Sequence, residues 1–253
     1  MSTGEDTAYG TLLVEERADR VVVTLRRPDA RNAVNGRMVA ELHRVCEELE
    51  RTPKLLLLTG HGGVFAGGAD IAELRRRGRD DALRGINSRL FERVRRLPLP
   101  TVAAVPGWAL GGGAELAYAC DLRIAGPDAV FGNPEPGLGI LAAAGACWRL
   151  RELVGESVAK QVLLAGRTLD ARAALGCGLV LDVVPADRLL DEAHALLDRM
   201  ARSSALALRL TKLVTDASGA HPVADDLAQA VLFESPEKGE RMTRFLEKKG
   251  GRA

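Results

Sequence analysis

The alternation of apolar and polar positions along the chain predicts strands and helices in turn, giving way to helices alone. Leu12 to Glu16 and Val21 to Leu25 read as two strands joined by the polar turn Arg17-Ala18-Asp19-Arg20, and Val21-Val22-Val23-Thr24 is strongly β-forming. Asn35 to Arg51 follows as an amphipathic helix, with Met38, Leu42, Val45 and Leu49 spaced for one face. Leu55 to Thr59 is a short unbroken apolar run, the pattern of a strand covered on both sides, and ends at the loop Gly60-His61-Gly62-Gly63. A charged helical region is expected from Ile71 to Leu97, closed by Pro98 and Pro100. Thr101 to Val105 reads as the next buried strand, Gly111 to Gly113 as a turn, and Glu115 to Ala119 as the start of a helix; Ile124 and Val130-Phe131 resume extended structure. Beyond Ala142 the pattern is mostly helical, over 143–153, 156–165, 170–175, 188–202, 205–217, 223–234 and 237–249. Strands first and helices last imply an α/β core with an α-helical C-terminal part.

A length of 253 residues allows one sizeable core, with or without a small appended subdomain. Aromatic residues make up only 4%, so that core must be built from aliphatic side chains and alanine. A formal charge of +1 offers no field to attract nucleic acid, and the clusters Arg75-Arg76-Arg77 and Arg93, Arg95, Arg96 read as solvated helical faces. Cys46, Cys120, Cys147 and Cys177 have no CxxC spacing and read as reduced packing residues. His43, His61, His194 and His221 lack a neighbouring ligand set, so no metal site is expected, and Ser203 and Ser204 lack the context of a nucleophile. The polar, acidic start from Met1 to Asp6 is unlike a signal peptide, and no run reaches the ~18 apolar residues of a membrane helix. A cytoplasmic protein with neither a membrane nor a nucleic-acid partner is expected.

Candidate chemistry gathers at glycine-bearing turns. Val64-Phe65-Ala66-Gly67-Gly68-Ala69-Asp70-Ile71 and Gly107-Trp108-Ala109-Leu110-Gly111-Gly112-Gly113 each let a ligand lie against bare backbone, and each could supply a free N–H. Two such donors from separate turns would make an oxyanion hole, one of them helped by the positive end of the helix that starts near Gly113. Neither turn is a P-loop, and glycine clusters also serve tight packing. Two acids follow close behind: Glu115 after Gly111-Gly112-Gly113-Ala114, in an apolar stretch, and Glu135 after Phe131-Gly132-Asn133-Pro134. A carboxylate is costly to bury without a task, and the two could share one small polar site. Asp70 reads as the N-cap of the helix that begins at Ile71, and Asp121 as a structural acid.

The run from Pro100 through Trp108 and Gly111-Gly112-Gly113 to Leu116, continued by Cys120-Asp121-Leu122-Arg123-Ile124-Ala125 and Phe131-Gly132-Asn133-Pro134-Glu135, resembles the signature of the enoyl-CoA hydratase/isomerase (crotonase) superfamily. Arg27-Pro28-Asp29-Ala30-Arg31-Asn32-Ala33 and Phe65 to Ile71 resemble its two other N-terminal motifs, in order, and Leu164 to Val184 and Phe245 to Lys248 fit downstream. The resemblance implies a crotonase-like spiral of ββα units over residues 1–195, an α-helical trimerisation region over 196–253, and a homotrimer or dimer of trimers. It puts the oxyanion hole at the N–H groups of Ala69 and Gly112, the catalytic carboxylates at Glu115 and Glu135, and contacts to coenzyme A at Ala30, Arg31, Ala66, Asp70, Ile71 and Lys248.

The implied activity is that of a lyase hydrating 2-enoyl-CoA to 3-hydroxyacyl-CoA, with coenzyme A as part of the substrate and no other cofactor. Hydration wants two carboxyls, one to activate water at C3 and one to protonate C2, and the assignment here is Glu115 as base and Glu135 as acid. The alternatives are another crotonase-type reaction, such as Δ3-Δ2 isomerisation or decarboxylation, which commonly needs one of the two acids, and a non-catalytic acyl-CoA-binding relative. Beside Pro136-Gly137 directly after Glu135, a longer segment departs from the family pattern: Ala142-Ala143-Ala144-Gly145 stands where hydratases commonly carry Pro-Gly-Ala-Gly, followed by Ala146-Cys147-Trp148-Arg149. It falls in the region of the acyl tail and leaves the preferred tail open.

Overall fold

In a computed structural model, described for residues 9–217 and 223–250, the first two strands, β1 (Leu12–Glu16) and β2 (Arg20–Leu25), form an antiparallel hairpin. β3 (Leu55–Gly60), β4 (Thr101–Val105) and β6 (Leu122–Ala125) then add in parallel, giving the order β1-β2-β3-β4-β6. β4 is buried along its whole length and β3 along nearly all of it, which is why both read as continuous apolar runs. A second, smaller sheet has β5 (Trp108–Leu110) parallel to β7 (Val130–Gly132), and β8 (Leu169–Asp170) antiparallel to β7.

Helix α1 (Gly36–Arg51) starts where the Asn35 side chain accepts the N–H of Met38 at 2.9 Å. It buries Met38, Leu42, Val45 and Leu49, the face its spacing predicts, and also Glu41, whose carboxylate holds the amides of Gly10 and Thr11 and the Thr11 hydroxyl. The charged region beyond Ile71 is not one helix. It is broken into α2 (Ile71–Leu74), α3 (Arg79–Arg84) and α4 (Ile86–Arg95), because Gly78 begins α3 from extended backbone and Gly85 turns left-handed, at φ +62°, between α3 and α4.

Helix α5 (Gly112–Ala119) begins one turn earlier than its apolar pattern suggests. The stretch expected as helix from residue 143 is instead a π-turn, Ala146–Leu150, leading into α6 (Arg151–Leu163), which kinks at Gly155 (φ +77°). α7 (Ala171–Gly176), α8 (Leu189–Ala201), α9 (Ala205–Asp216), α10 (Val223–Phe233) and α11 (Pro236–Gly250) complete the chain, which divides after Leu197 into two compact units. The core of the first is aliphatic and alanine-rich, with Phe65, Phe91, Tyr118 and Phe131 among its largest buried side chains. Cys46 and Cys120 pack inside it; Cys177 is half-buried, and Cys147 is exposed, contrary to the expectation that all four serve packing.

Among the described residues, no helix is long and apolar enough to cross a membrane, and no three His, Cys, Asp or Glu side chains gather as a metal site. The arginines read as a solvated face are largely engaged: Arg93 forms a fork on Glu50, and Arg95 and Arg96 share Glu92.

Candidate active site

The site is built where α5 starts against the segment from Ala66 to Asp70. Nothing larger than glycine fits at position 113, since a Cβ there would lie 2.2 Å from the carbonyl oxygen of Ala66. The close approach brings the residue before it beside Ala69, so that a Cβ on Gly112 would sit 3.3 Å from the Ala69 nitrogen. Neither amide meets an acceptor among the described residues, for different reasons. Ala69 lies in a parallel bridge with Val34 whose bonds run through the Gly68 carbonyl and the Asp70 N–H, leaving its own N–H unused. Gly112 is the first residue of α5, where an N–H has no intrahelical partner.

Glu115, in the first turn of α5, is 5% exposed, and its Oε1 accepts the N–H of Ala146 at 3.1 Å. Burial pushes its carboxyl up to about 7; the amides of Ala146, Ala144 and Gly145 pull the other way, and the charge of Glu135 adds to the rise. Glu135 opens a single 3-10 turn, Glu135–Leu138, directly after Pro134, and is 7% exposed. Burial raises its carboxyl too, while its own backbone N–H and the Asn133 amide ease the charged form. Even so, Oε2 of Glu135 and Nδ2 of Asn133 are buried without closing a hydrogen bond to any described group. Asn133 is oriented from behind by the buried Tyr118, whose hydroxyl donates to its Oδ1 at 3.3 Å.

A cavity of about 530 Å³ is lined by Ala69, Gly112, Glu115 and Glu135 together, with Ile71, Leu138 and Ile140 among its apolar neighbours. Two buried carboxyls, both raised by burial, thus share one space with two amides that meet no acceptor among the described residues. Such an arrangement can move protons on and off neighbouring atoms of a substrate while main-chain donors stabilise an oxygen that gains charge.

Of the other residues singled out from the sequence, Ile71 lines this cavity, but Ala66, Asp70, Ala30 and Arg31 do not. The backbone of Ala66 is spent on β5, its N–H on Trp108 and its carbonyl on Leu110. Asp70 caps α2 as expected: Oδ1 accepts from Ala72 and Glu73, and Oδ2 pairs with Arg27 at 3.0 Å. Arg31 is joined to the glycine turn by its carbonyl, which accepts from Gly67 at 2.8 Å, and its guanidinium lies 5.8 Å from the centre of the Trp108 ring. The side chain of Lys248, in the span of α11, lies outside the described residues. Sequence reasoning missed Asn133 and Ala146. Asn133 stood in the quoted motif without a role, and Ala146 contributes only a backbone N–H, which no residue type advertises.

Residues 15–251 match the family described as enoyl-CoA hydratase/isomerase. The chain is 38% identical over 248 residues to the protein named "Probable enoyl-CoA hydratase echA8" of Mycobacterium tuberculosis, covering 95% of this chain and 96% of that one. It is 36% identical over 254 residues to a short-chain-enoyl-CoA hydratase of Clostridium acetobutylicum, covering 94% and 95%. The crystal structure of enoyl-CoA hydratase subunit I from Geobacillus kaustophilus HTA426 superposes with a TM-score of 0.89 at 34% identity, over 96% of this chain and 97% of that one.

Proposed function

Because the chain belongs to the enoyl-CoA hydratase/isomerase family, we propose how the groups around its cavity carry out hydration of a 2-enoyl-CoA. The chain is an enoyl-CoA hydratase, a lyase that adds water across the C2–C3 double bond to give the 3-hydroxyacyl-CoA. The fold is the crotonase fold. What carries the assignment of roles is the meeting of two buried carboxyls, both raised by burial, with two amides that meet no described acceptor, in one cavity.

In this reading the thioester oxygen takes the N–H groups of Ala69 and Gly112, which stabilise the negative charge it gains as water adds at C3. Glu115 accepts a proton from the water as the new C–O bond forms, and Glu135 gives its proton to C2. Turnover therefore leaves Glu115 protonated and Glu135 ionised, so one proton must cross the pair or exchange with solvent before the next cycle. The pair works as a unit holding one proton. The unpartnered Oε2 of Glu135 supports its role, since a buried oxygen without a partner is suited to a group the substrate brings.

Coenzyme A is part of the substrate, and no other cofactor is invoked. We assign its passage to the mouth beside the exposed Ile71, with Ala30, Arg31, Ala66 and Asp70 shaping the adjoining backbone and Lys248 as a contact for a phosphate. A homotrimer or dimer of trimers in the cytoplasm completes the proposal. Mixing the protein with crotonyl-CoA tests the reaction: the enoyl absorbance should fall as the double bond is hydrated, and a folded protein that leaves it unchanged sinks the assignment.

A further inference from the structure

A second cavity, of about 450 Å³, abuts the first, with Ser88, Glu115, Ala143 and Ala144 lining both. Glu115 thus stands in the wall between the amide pair and this second space. A chain whose thioester oxygen lies at Ala69 and Gly112, and whose C3 meets Glu115, continues past Glu115 into it. The far wall comes from α4 and the π-turn. Three guanidinium groups, Arg89, Arg95 and Arg149, line it, and apart from Glu115 the one acid among them is Glu92.

The cations are unequally satisfied. Arg95 is held in a fork by Glu92, at 3.0 and 3.1 Å, and lies 5.4 Å from the centre of the Trp148 ring. Arg149 is engaged at Nε by the Tyr118 carbonyl at 3.3 Å and at Nη1 by Glu152 at 3.1 Å, and its Nη2 meets no described acceptor. Arg89 is exposed, and its guanidinium makes no hydrogen bond or ion pair with a described residue. A plain alkyl tail filling this space would strip water from Nη2 of Arg149 and offer nothing to Arg89. A carboxylate at the end of the tail would instead offer the planar pair of acceptors that a guanidinium fits.

We propose that this second cavity receives the acyl tail and selects 2-enoyl-CoA thioesters whose tail ends in a carboxylate, with Arg89 and Nη2 of Arg149 as the receiving groups. The inference rests on the hydratase reading, which fixes the direction of the tail.

The test compares binding of two saturated thioesters to the full chain by calorimetry, 5-carboxypentanoyl-CoA and hexanoyl-CoA, which differ by a carboxylate in place of a methyl group and cannot be hydrated. Crotonyl-CoA turnover is measured in parallel. The carboxylate thioester should bind at least ~10-fold more tightly, the margin of one charge-assisted contact, and Arg89→Gln should shrink that margin to ~2-fold. Equal affinities, a preference for hexanoyl-CoA, or a margin untouched by Arg89→Gln would each overturn the proposal. Hydration of crotonyl-CoA with equal binding of the two thioesters removes the tail pocket alone. Tighter binding of the carboxylate thioester, lost in Arg89→Gln, without hydration of crotonyl-CoA upholds the pocket and removes the catalytic reading.

Discussion

The backbone N–H of Ala146 donates to Oε1 of Glu115 across 3.1 Å, joining the first turn of α5 to the π-turn 31 residues later. That bond ties the proposed base to a segment whose sequence departs from the family pattern. The orientation of the amide depends on Gly145, which sits at φ +142°, where side-chain-bearing residues are strained.

Gly145→Ala isolates this dependence, because a Cβ at that position would meet nothing within 4 Å and the penalty is wholly conformational. We expect ~1–3 kcal/mol of backbone strain, relieved by rotating the Ala146 amide away from Glu115, and kcat for crotonyl-CoA lowered by ~10-fold or more. Steady-state kinetics and a thermal melt check it together. A variant that melts earlier with unchanged kcat would show that the amide does not matter to the base.

Glu115 makes stability depend on pH with a definite sign. Its carboxyl, ordinarily at 4.5, is raised to about 7, so the folded protein keeps a proton that the unfolded chain releases between those values. The stability this lends is fully present below pH 4.5 and is lost as pH rises through about 7. Glu115→Gln cannot ionise and still offers an oxygen to Ala146. It should therefore be more stable than wild type at pH 8, by up to about 3 kcal/mol, and close to it at pH 4; denaturant melts at the two values decide.

Activity should carry the same signature. If the pair works holding one proton, kcat/KM for crotonyl-CoA is bell-shaped with one limb near pH 7, where Glu115 titrates. A profile flat from pH 5 to 9 would be incompatible with the assignment.

Glu135→Gln removes the proposed donor to C2 but keeps its size and its buried setting. Turnover should vanish while affinity for a saturated acyl-CoA stays within a few fold, as measured by calorimetry. Wild-type rates in this variant would refute the role given to Glu135.

Gly112→Ala places a methyl 3.3 Å from the Ala69 nitrogen, over the space between the two proposed donors. Loss of one such donor raises the barrier by ~3 kcal/mol, so kcat should fall ~100-fold, with the circular dichroism spectrum retained. An unchanged kcat would mean that the thioester oxygen binds elsewhere.

Much of the frame was legible because single patterns dominate it. β2 follows from its β-branched run, β3 and β4 from their unbroken apolar runs, and the buried face of α1 from Met38, Leu42, Val45 and Leu49, and the tertiary setting does not override them. The short strands β5 and β8 were hidden: three residues between glycines and two residues ahead of a helix carry no periodicity, and both are defined by long-range pairing, with β7 and, for β5, also with Ala66. The breaks at Gly78 and Gly85 were masked by charge on both sides, which reads as one solvated helix. At the site, the two glutamates and the glycine turns stood out as residue types that apolar stretches do not tolerate idly. Asn133, the Ala146 amide and the guanidinium-lined wall did not, since their part depends on which distant segment each one faces.

The contact between position 113 and the Ala66 carbonyl, at which even a methyl group would have to shift the main chain, has a consequence for how this scaffold can change. The spacing of the two amides is set by the thickness of bare backbone, like a joint cut without clearance, and no side-chain replacement can tune it gradually. Altered chemistry on this framework must come from the acids and from the walls beyond them, while the amide clamp is inherited whole or lost.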